Sequence, residues 1–290
     1  MHHVSRPGST PPSVPFPFEG HSRGLTQVTH TGNGTGTFHA AMATVELAPA
    51  GFVEPHLQSY EELVFILDGS PVLTINGVEM PLHADDCACV PIGAVHSWAS
   101  PGGPSRWLDL SAPVPRGAGL PADAFFVAGP HAGLIRLGLH DHRAPHFNSF
   151  QPEQMDLASV MPSGQAGARV PSLGNSLQVF GGTTLKMLID SRQGAFLANM
   201  FMCQFAPGMS LQPHDHPLEE TFCVLDGEVA FVADGIEHLL RPGDVAFAGL
   251  GCIHSFENRS ARSCRFLETR SPLPPVLHEA RFNRDWAEVG

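Results

Sequence analysis

Lysine is nearly absent from this sequence of 290 residues, in which Lys186 stands beside fifteen arginines. Charged residues make up only 15% of the chain, and the formal net charge is −12. No run of basic residues interrupts this acidic balance. Because proteins bind nucleic acids through clustered Lys and Arg side chains, we expect no nucleic-acid partner.

Long apolar runs and paired cysteines are also missing. No stretch of about 18 apolar residues occurs, so we expect no membrane span. The six cysteines form no CxxC pair, which argues against a zinc-finger or disulfide framework and favours reduced thiols. The first residues show no pattern of a charged segment followed by an apolar one. These absences together predict a cytoplasmic protein.

Turn-forming residues are abundant, with 30 Gly and 27 Pro beside a hydrophobic content of 42%. Short apolar runs at residues 63–67 and 221–225 are each followed by Asp-Gly. Asn76-Gly77 and Asp234-Gly235 follow the next apolar runs and are strong hairpin signals. Closely spaced short strands with such turns predict an all-β fold, with an antiparallel barrel or sandwich in each half.

The chain contains an internal repeat with a constant offset of 158 residues. No insertion is needed between Pro55 and Ser97, so we interpret the chain as a duplication. The matching pairs include Pro55 and Pro213, His56 and His214, Glu62 and Glu220, Gly69 and Gly227, Gly77 and Gly235, and His96 and His254.

The repeat and the composition suggest five segments. They are an irregular N-terminal arm (1–36), a first barrel (37–110), a proline-containing linker that packs across the barrels and supplies outer strands (111–178), a second barrel (179–270) and a C-terminal tail (271–290) with a short helix around residues 277–286.

Four side chains of the second half have the spacing of a metal site. Side chains alternate along a strand, so His214 and His216 point to the same side. Glu220 follows a tight bend, and His254 follows the glycine-rich turn at residues 249–251. Three imidazoles and one carboxylate leave two positions open on a six-coordinate ion, which suits Mn, Fe(II), Ni or Co better than a closed structural zinc site. Zn also remains among the divalent transition metals considered, and the open positions would take water, oxygen or a small-molecule substrate.

These motifs resemble those of the cupin family. Gly208, the four candidate ligands and Gly227 have the spacing of the first cupin motif. The stretch from Gly243 through His254 to Asn258 matches the second motif, except that Gly249 replaces the usual proline. The chain is therefore similar to a bicupin, with the resemblance covering about two thirds of its length. This resemblance implies two tandem jelly-roll barrels, a metal held by the four candidate ligands, and a homodimer.

The first half departs from the motif at one ligand. His56, Glu62 and His96 are in place, but Gln58 replaces the second histidine. Glutamine is a weaker ligand than imidazole, so two hypotheses remain open: a second metal site, or a degenerate half that supports the fold. Alternation along the strands predicts further that Phe222, Val224 and Phe256 face the second-half pocket, although plain packing in the barrel core explains them more simply. Tyr60, between Gln58 and Glu62, is a candidate pocket residue of the first half, and packing would explain it equally well.

Three functions are compatible with these residues. The favoured one is a metal-dependent enzyme that acts on a small oxygenated metabolite, with dioxygenase-type chemistry at the second-half site. The second is a hydrolase similar to (S)-ureidoglycine aminohydrolase, which the layout around residues 114–117, 126–129 and 185–205 resembles. That family has a different ligand set in its second half, however. The third is a non-catalytic bicupin that binds a metal or a small molecule.

Overall fold

The structure is a computed structural model that describes residues 1–117, 120–128, 134–139, 141–155, 177–180, 182–273 and 281–282. Within these ranges, regular helix is confined to two 3₁₀ turns, Phe16–Phe18 and Pro152–Met155. The all-β prediction is therefore confirmed. No helix in the described part of the chain has the length and apolar character needed to cross a bilayer.

The chain forms two compact units. The first consists of Thr10–Phe150 with Ile189–Ala198, and the second of Met1–Ser9, Gln151–Leu188 and Asn199–Gly290. Strands are numbered in chain order. The first unit contains β2 (Ser22–Thr31), β3 (Ala41–Gln58), β4 (Glu61–Asp68), β5 (Val72–Ile75), β6 (Val78–Pro81), β7 (Asp86–Val90), β8 (His96–Ala99), β9 (Ser105–Ala112), β10 (Ala124–Phe126), β11 (Ile135–Arg136) and β12 (Phe147–Ser149). The remaining strands are β1 (His2–Ser5), β13 (Leu177–Phe180), β14 (Thr183–Ile189), β15 (Asn199–Phe205), β16 (Ser210–Asp215), β17 (Glu219–Asp226), β18 (Val229–Ala233), β19 (Ile236–Leu240), β20 (Val245–Ala248), β21 (His254–Glu257), β22 (Cys264–Ser271) and β23 (Arg281–Phe282).

One sheet of eleven strands builds the first unit. The long strand β3 organises it, because β2, β8, β9 and β10 all pair with β3. The buried face of the sheet carries an apolar cluster, in which the Trp98 and Trp107 rings stack with their centroids 4.5 Å apart. Burial of this cluster is the main force that holds the unit together.

The second unit uses a seven-stranded and a five-stranded sheet. In the larger sheet, β17 lies between β20 and β22, while β16, β18 and β21 are neighbours in the smaller sheet. The core of this unit is rich in phenylalanine. Phe222, Phe231, Phe256 and Phe266 pack there with ring centroids about 5–6 Å apart, the separation at which aromatic pairs attract each other.

Both predicted hairpin turns form. Strands β5 and β6 pair Ile75 with Val78, and β18 and β19 pair Ala233 with Ile236, so each loop has two residues. The loop residues Asn76-Gly77 and Asp234-Gly235 all have positive φ. This conformation matches the twist of the flanking strands and explains why Asn, Asp and Gly occupy these positions.

The N-terminal arm differs from the prediction, since residues 2–5 and 22–31 form strands. Strand β1 pairs antiparallel with β20, and the ten-residue β2 pairs with β3. The reason is that β2 contains three Thr residues and one Val, residue types that suit a pleated strand. The edge strand of a sheet can also pair with a segment whose own sequence favours a strand only weakly, because the pairing satisfies the unpaired N–H and C=O groups of the edge strand.

The remaining segments are described in part. Strands β10, β11 and β12, from the predicted linker, join the first sheet through β3, β6 and β7, whereas residues 156–176 lie outside the described ranges. In the tail, Arg281 and Phe282 form β23 beside β16 instead of a helix. The rest of that predicted helix lies outside the described residues. The predicted segment boundaries themselves remain a proposal.

Candidate metal centre

Three strands of the second unit bring the predicted ligands together. His214 lies on β16, His216 follows that strand, Glu220 lies on β17 and His254 lies on β21. Strands β16 and β21 pair His214 directly with His254, just after a β-bulge. One ligand atom from each of the four residues lies within 4.8 Å of the others, and all four side chains are buried.

Backbone hydrogen bonds fix the orientation of all three imidazoles. The Nδ1 atoms of His214, His216 and His254 lie 2.8, 3.1 and 3.0 Å from the carbonyl oxygens of Gln212, Leu218 and Cys252. A carbonyl only accepts, so each neutral ring carries its proton on Nδ1 and presents the lone pair of Nε2. An orienting bond of this kind is typical of histidines that bind metal ions.

The surroundings of the Nε2 atoms indicate whether the site fits a cation. Those of His216 and His254 are buried and have no hydrogen-bond partner among the described residues. They lie 2.7 and 3.2 Å from Oε2 of Glu220. Lone pairs facing a carboxylate at these distances repel each other unless a cation lies between them. The donor set therefore fits a divalent transition-metal ion.

A partly buried arginine controls the charge of the glutamate. The Nε atom of Arg270 lies 2.7 Å from Oε1 of Glu220 and 3.0 Å from Oε1 of Glu268. Burial raises the pKa of Glu220, but the charge of Arg270, the largest opposing effect, holds this pKa well below its usual range. The pKa of Glu268 rises to about 8 because of burial and the nearby charge of Glu220. Glu220 is therefore the ionised member of the pair.

The protonation state of His214 also favours metal binding. Burial, followed by the neighbouring His254, lowers the pKa of His214 to about 4. The ring is thus neutral near pH 7 and can donate its lone pair without first losing a proton.

The predicted pocket residues of this unit lie in the core. The rings of Phe222 and Phe256 each lie 6.0 Å from the ring of His254. Val224 belongs to the same buried cluster. All three side chains support the centre by packing, and a role in contacting substrate stays a prediction.

The corresponding residues of the first unit have nearly the same arrangement. Strands β3 and β8 pair His56 with His96, again just after a β-bulge. The Nδ1 atom of His56 lies 2.8 Å from the Glu54 carbonyl oxygen, so its Nε2 faces the site. Burial, then the neighbouring His96, lowers the pKa of His56 to about 3, and burial lowers that of His96 to about 4. Both rings are therefore neutral near pH 7.

The two units differ chemically at Gln58, which takes the position of His216. Its amide nitrogen donates a hydrogen bond of 3.0 Å to Oε2 of Glu62, where His216 Nε2 approaches Glu220 in the other unit. An amide nitrogen has no lone pair for a metal. Within the described ranges, the second-unit residues are the only group of three or more His, Cys, Asp or Glu side chains that gathers closely enough for one ion.

Sequence reasoning missed Arg270 and Glu268. Strand β22 carries both residues, and Arg270 pairs with Glu220 in the β17–β22 ladder. The equivalent partner of Glu62 is Ser111, so the offset has grown from 158 to 159 residues at this point. A repeat alignment that allowed one insertion after Ser97 would have placed an arginine opposite a serine. This difference between the repeats would have pointed to Arg270 and its neighbour Glu268.

The two units and the centre define a class of protein: a tandem β-barrel protein with a buried His/Glu metal centre. Residues 43–111 and 201–270 both match the family described as the cupin domain. The chain is therefore a bicupin of the cupin superfamily, as its motifs predicted. No curated protein matches the chain in sequence.

Solved structures similar to this chain include bicupin enzymes. The oxalate decarboxylase of Lactobacillus farciminis, in a formate complex, has 15% sequence identity and a TM-score of 0.67, with 99% of this chain and 90% of that chain covered. A deletion mutant of Bacillus subtilis oxalate decarboxylase has 13% identity and a TM-score of 0.64, with 98% and 80% covered. At such low identity, this likeness establishes the fold alone.

Proposed function

We propose that the chain is a metal-dependent enzyme that acts on a small oxygenated metabolite at the second-unit centre. The observation that carries the proposal is the set of buried, oriented Nε2 atoms around the ionised Glu220. His214, His216, Glu220 and His254 would hold the ion. When bound, the ion would act as a Lewis acid or activate oxygen at its open coordination positions.

The protein residues have separate roles in this proposal. The three imidazoles would supply neutral donors, and the Nδ1 bonds would hold them in place without any rearrangement. Arg270 would keep Glu220 ionised and aligned, which makes it a positioning residue. The phenylalanine core around His254 would exclude water and strengthen electrostatic interactions at the centre.

We favour a carboxylate or enolate substrate, because oxygen anions bind well to hard divalent cations. Dioxygenase-type chemistry remains our first reaction class. Decarboxylation is a second candidate, since the fold likeness to oxalate decarboxylases extends over 99% of the chain. One of the similar structures concerns Mn(II) centres, so Mn(II) is the first ion to test.

The test measures oxygen uptake, carbon dioxide and ammonia from the same reactions. Chelator-treated protein is reloaded with Mn(II), Fe(II), Co(II), Ni(II) or Zn(II) and mixed with oxalate, enolic acids, aromatic acids or ureidoglycine. Oxygen uptake that His214→Ala abolishes supports a dioxygenase, and carbon dioxide without net oxygen uptake supports a decarboxylase. Ammonia release from ureidoglycine would contradict both the dioxygenase and the decarboxylase and would support the hydrolase. Inactivity under every condition would favour a binding protein.

The predicted homodimer remains a proposal. Light scattering on the purified protein would test it, and a monomeric mass at micromolar concentration would contradict it.

A further inference from the structure

The first unit contains a cavity of about 460 Å³. This volume lies within the range of about 300–1,000 Å³ that is typical of small-molecule sites. His56, Gln58 and Glu62, three of the four residues at the former ligand positions, form part of its wall. The predicted pocket residue Tyr60 also lines it.

The wall of this cavity is acidic. Glu19, Glu62, Asp109 and Asp123 line it, against the single basic residue Arg116. Arg116 is already engaged, because its Nε atom donates to Asp123 over 2.7 Å. Glu62 and Asp109 are hydrogen-bonded to each other. Burial raises the pKa of both, and the nearby charge of Glu62 helps to hold the pKa of Asp109 well above its usual range, so Asp109 carries the proton of the pair and Glu62 its charge. No Lys or Arg of the described residues forms an ion pair with either carboxyl group.

The second unit shows how such a pair of carboxyl groups is neutralised within the protein. There Arg270 lies opposite Glu220 on the neighbouring strand and contacts both Glu220 and Glu268. In the first unit the residue opposite Glu62 is Ser111, whose hydroxyl donates a hydrogen bond of 3.2 Å to Oδ1 of Asp109 but carries no charge. The first unit therefore keeps the pair of carboxyl groups, with its charge on Glu62, but lacks the arginine that balances the pair in the second unit. The open cavity beside the pair can admit a cation from solution.

Aromatic side chains complete the cavity. The lining includes Phe16, Phe18, Tyr60, Trp98 and Trp107. Aromatic faces attract cations, and desolvated contacts of this kind contribute about 2 kcal/mol or more. A cavity lined by both carboxyl groups and aromatic rings provides the surroundings that an organic ammonium ion prefers.

We infer that the first-unit cavity binds a small organic cation, an amine with an apolar body, without a metal ion. The ammonium group would lie against Glu62 and Asp109, and the apolar body would pack against Trp98 and Trp107. Gln58 contributes by occupying the position of the missing imidazole and holding Glu62 through its amide N–H. This site is separate from the proposed catalytic centre, so either can fail without the other.

Benzylamine is a suitable probe, with benzyl alcohol and benzoate as neutral and anionic analogues of similar size. Binding is measured on the full chain after chelator treatment, by calorimetry and by tryptophan fluorescence. Two of the three tryptophans line the cavity, so their emission reports on it directly. We expect benzylamine to bind at least about tenfold more tightly than either analogue, the effect of one partly desolvated charge interaction.

Two variants locate the site. Glu62→Gln preserves the shape of the side chain, removes the charge of the pair and should weaken benzylamine binding about tenfold. Ser111→Arg places a guanidinium where Arg270 lies in the other unit and should abolish binding. Glu79→Gln removes an acid outside the cavity and should leave binding unchanged. Melting temperature and metal content of the second-unit centre show whether each variant is folded.

Three results would overturn the inference. Benzoate could bind as tightly as benzylamine, Glu62→Gln could bind benzylamine normally, or Mn(II) could displace benzylamine from the first unit of the wild-type protein. The last result would show that Gln58 accommodates a metal after all.

Discussion

Replacing Gln58 by histidine should create a second metal centre in the first unit. The scaffold is already in place, because the His56 and His96 ring centroids lie 4.0 Å apart, against 4.3 Å for His214 and His254. The Gln58 amide nitrogen is also 3.0 Å from Glu62 Oε2, close to the 2.7 Å between His216 and Glu220. The substitution changes one donor atom and little else.

A second bound ion should be measurable both as metal content and as a gain in thermal stability. Metal content should rise from one ion per chain in the wild type to two in Gln58→His. At a free Mn(II) concentration 100 times the dissociation constant, binding to the folded state alone stabilises a protein by about 2.7 kcal/mol. For a unit of roughly 150 residues, each kcal/mol raises the melting temperature by about 2–4 °C. We therefore expect the first unit to melt about 5–10 °C higher with Mn(II) than without it.

The assay is elemental analysis combined with calorimetric melting, with and without chelator. A His214→Ala background removes the second-unit centre, so that one ion per chain in the double variant must belong to the first unit. Adding His56→Ala to Gln58→His should eliminate the new site again. If Gln58→His retains only one ion per chain and melts at the same temperature with Mn(II), the missing imidazole is not what disables the first unit.

Three further predictions follow from individual contacts. In elemental analysis, His214→Ala should lose the bound metal and His56→Ala should keep it; equal losses would mean that both units hold ions. Because the pKa values of His56 and His96 are lowered to about 3 and 4, NMR of the chelated protein should show both rings neutral from pH 7 down to about pH 5. An inflection near pH 6.5 would contradict this burial effect. The buried Glu61 carboxylate accepts three backbone N–H bonds of 2.7–2.9 Å from residues 196–198, so Glu61→Gln should lower the free energy of unfolding by about 2 kcal/mol or more, because one oxygen is replaced by a donor. Urea titration measures this loss, and an unchanged midpoint would show that the loop does not depend on the carboxylate.

The features that could be predicted from the sequence depend on local spacing. Asn76-Gly77 predicted a two-residue hairpin because few other pairs tolerate positive φ at both positions. The ligands were predictable for a similar reason, since alternation and a short bend place His214, His216 and Glu220 on one side of the barrel. The constant offset then extended each inference from one half of the chain to the other.

The features that escaped prediction depend on contacts between distant segments. Nothing in residues 2–5 specifies pairing with β20, which lies more than 200 positions away. Arg270 was hidden because a one-residue length difference after Ser97 ends the simple offset. The cavity of the first unit could not be predicted from the sequence either, because its volume results from how side chains of many strands pack together.

The two units differ in charge at one ladder position that lies outside both apolar core clusters. Ser111 and Arg270 both extend a β-ladder with their backbone, and neither belongs to an apolar core cluster. Exchanging one for the other therefore leaves the strand pairing intact but changes the charge beside a buried glutamate. With arginine, the glutamate is ionised and directed at three imidazoles. With serine, it faces Asp109 and an acidic cavity. In our proposals, this ladder position acts together with Gln58, which stands where the second unit has His216, to set the kind of cation that each unit binds.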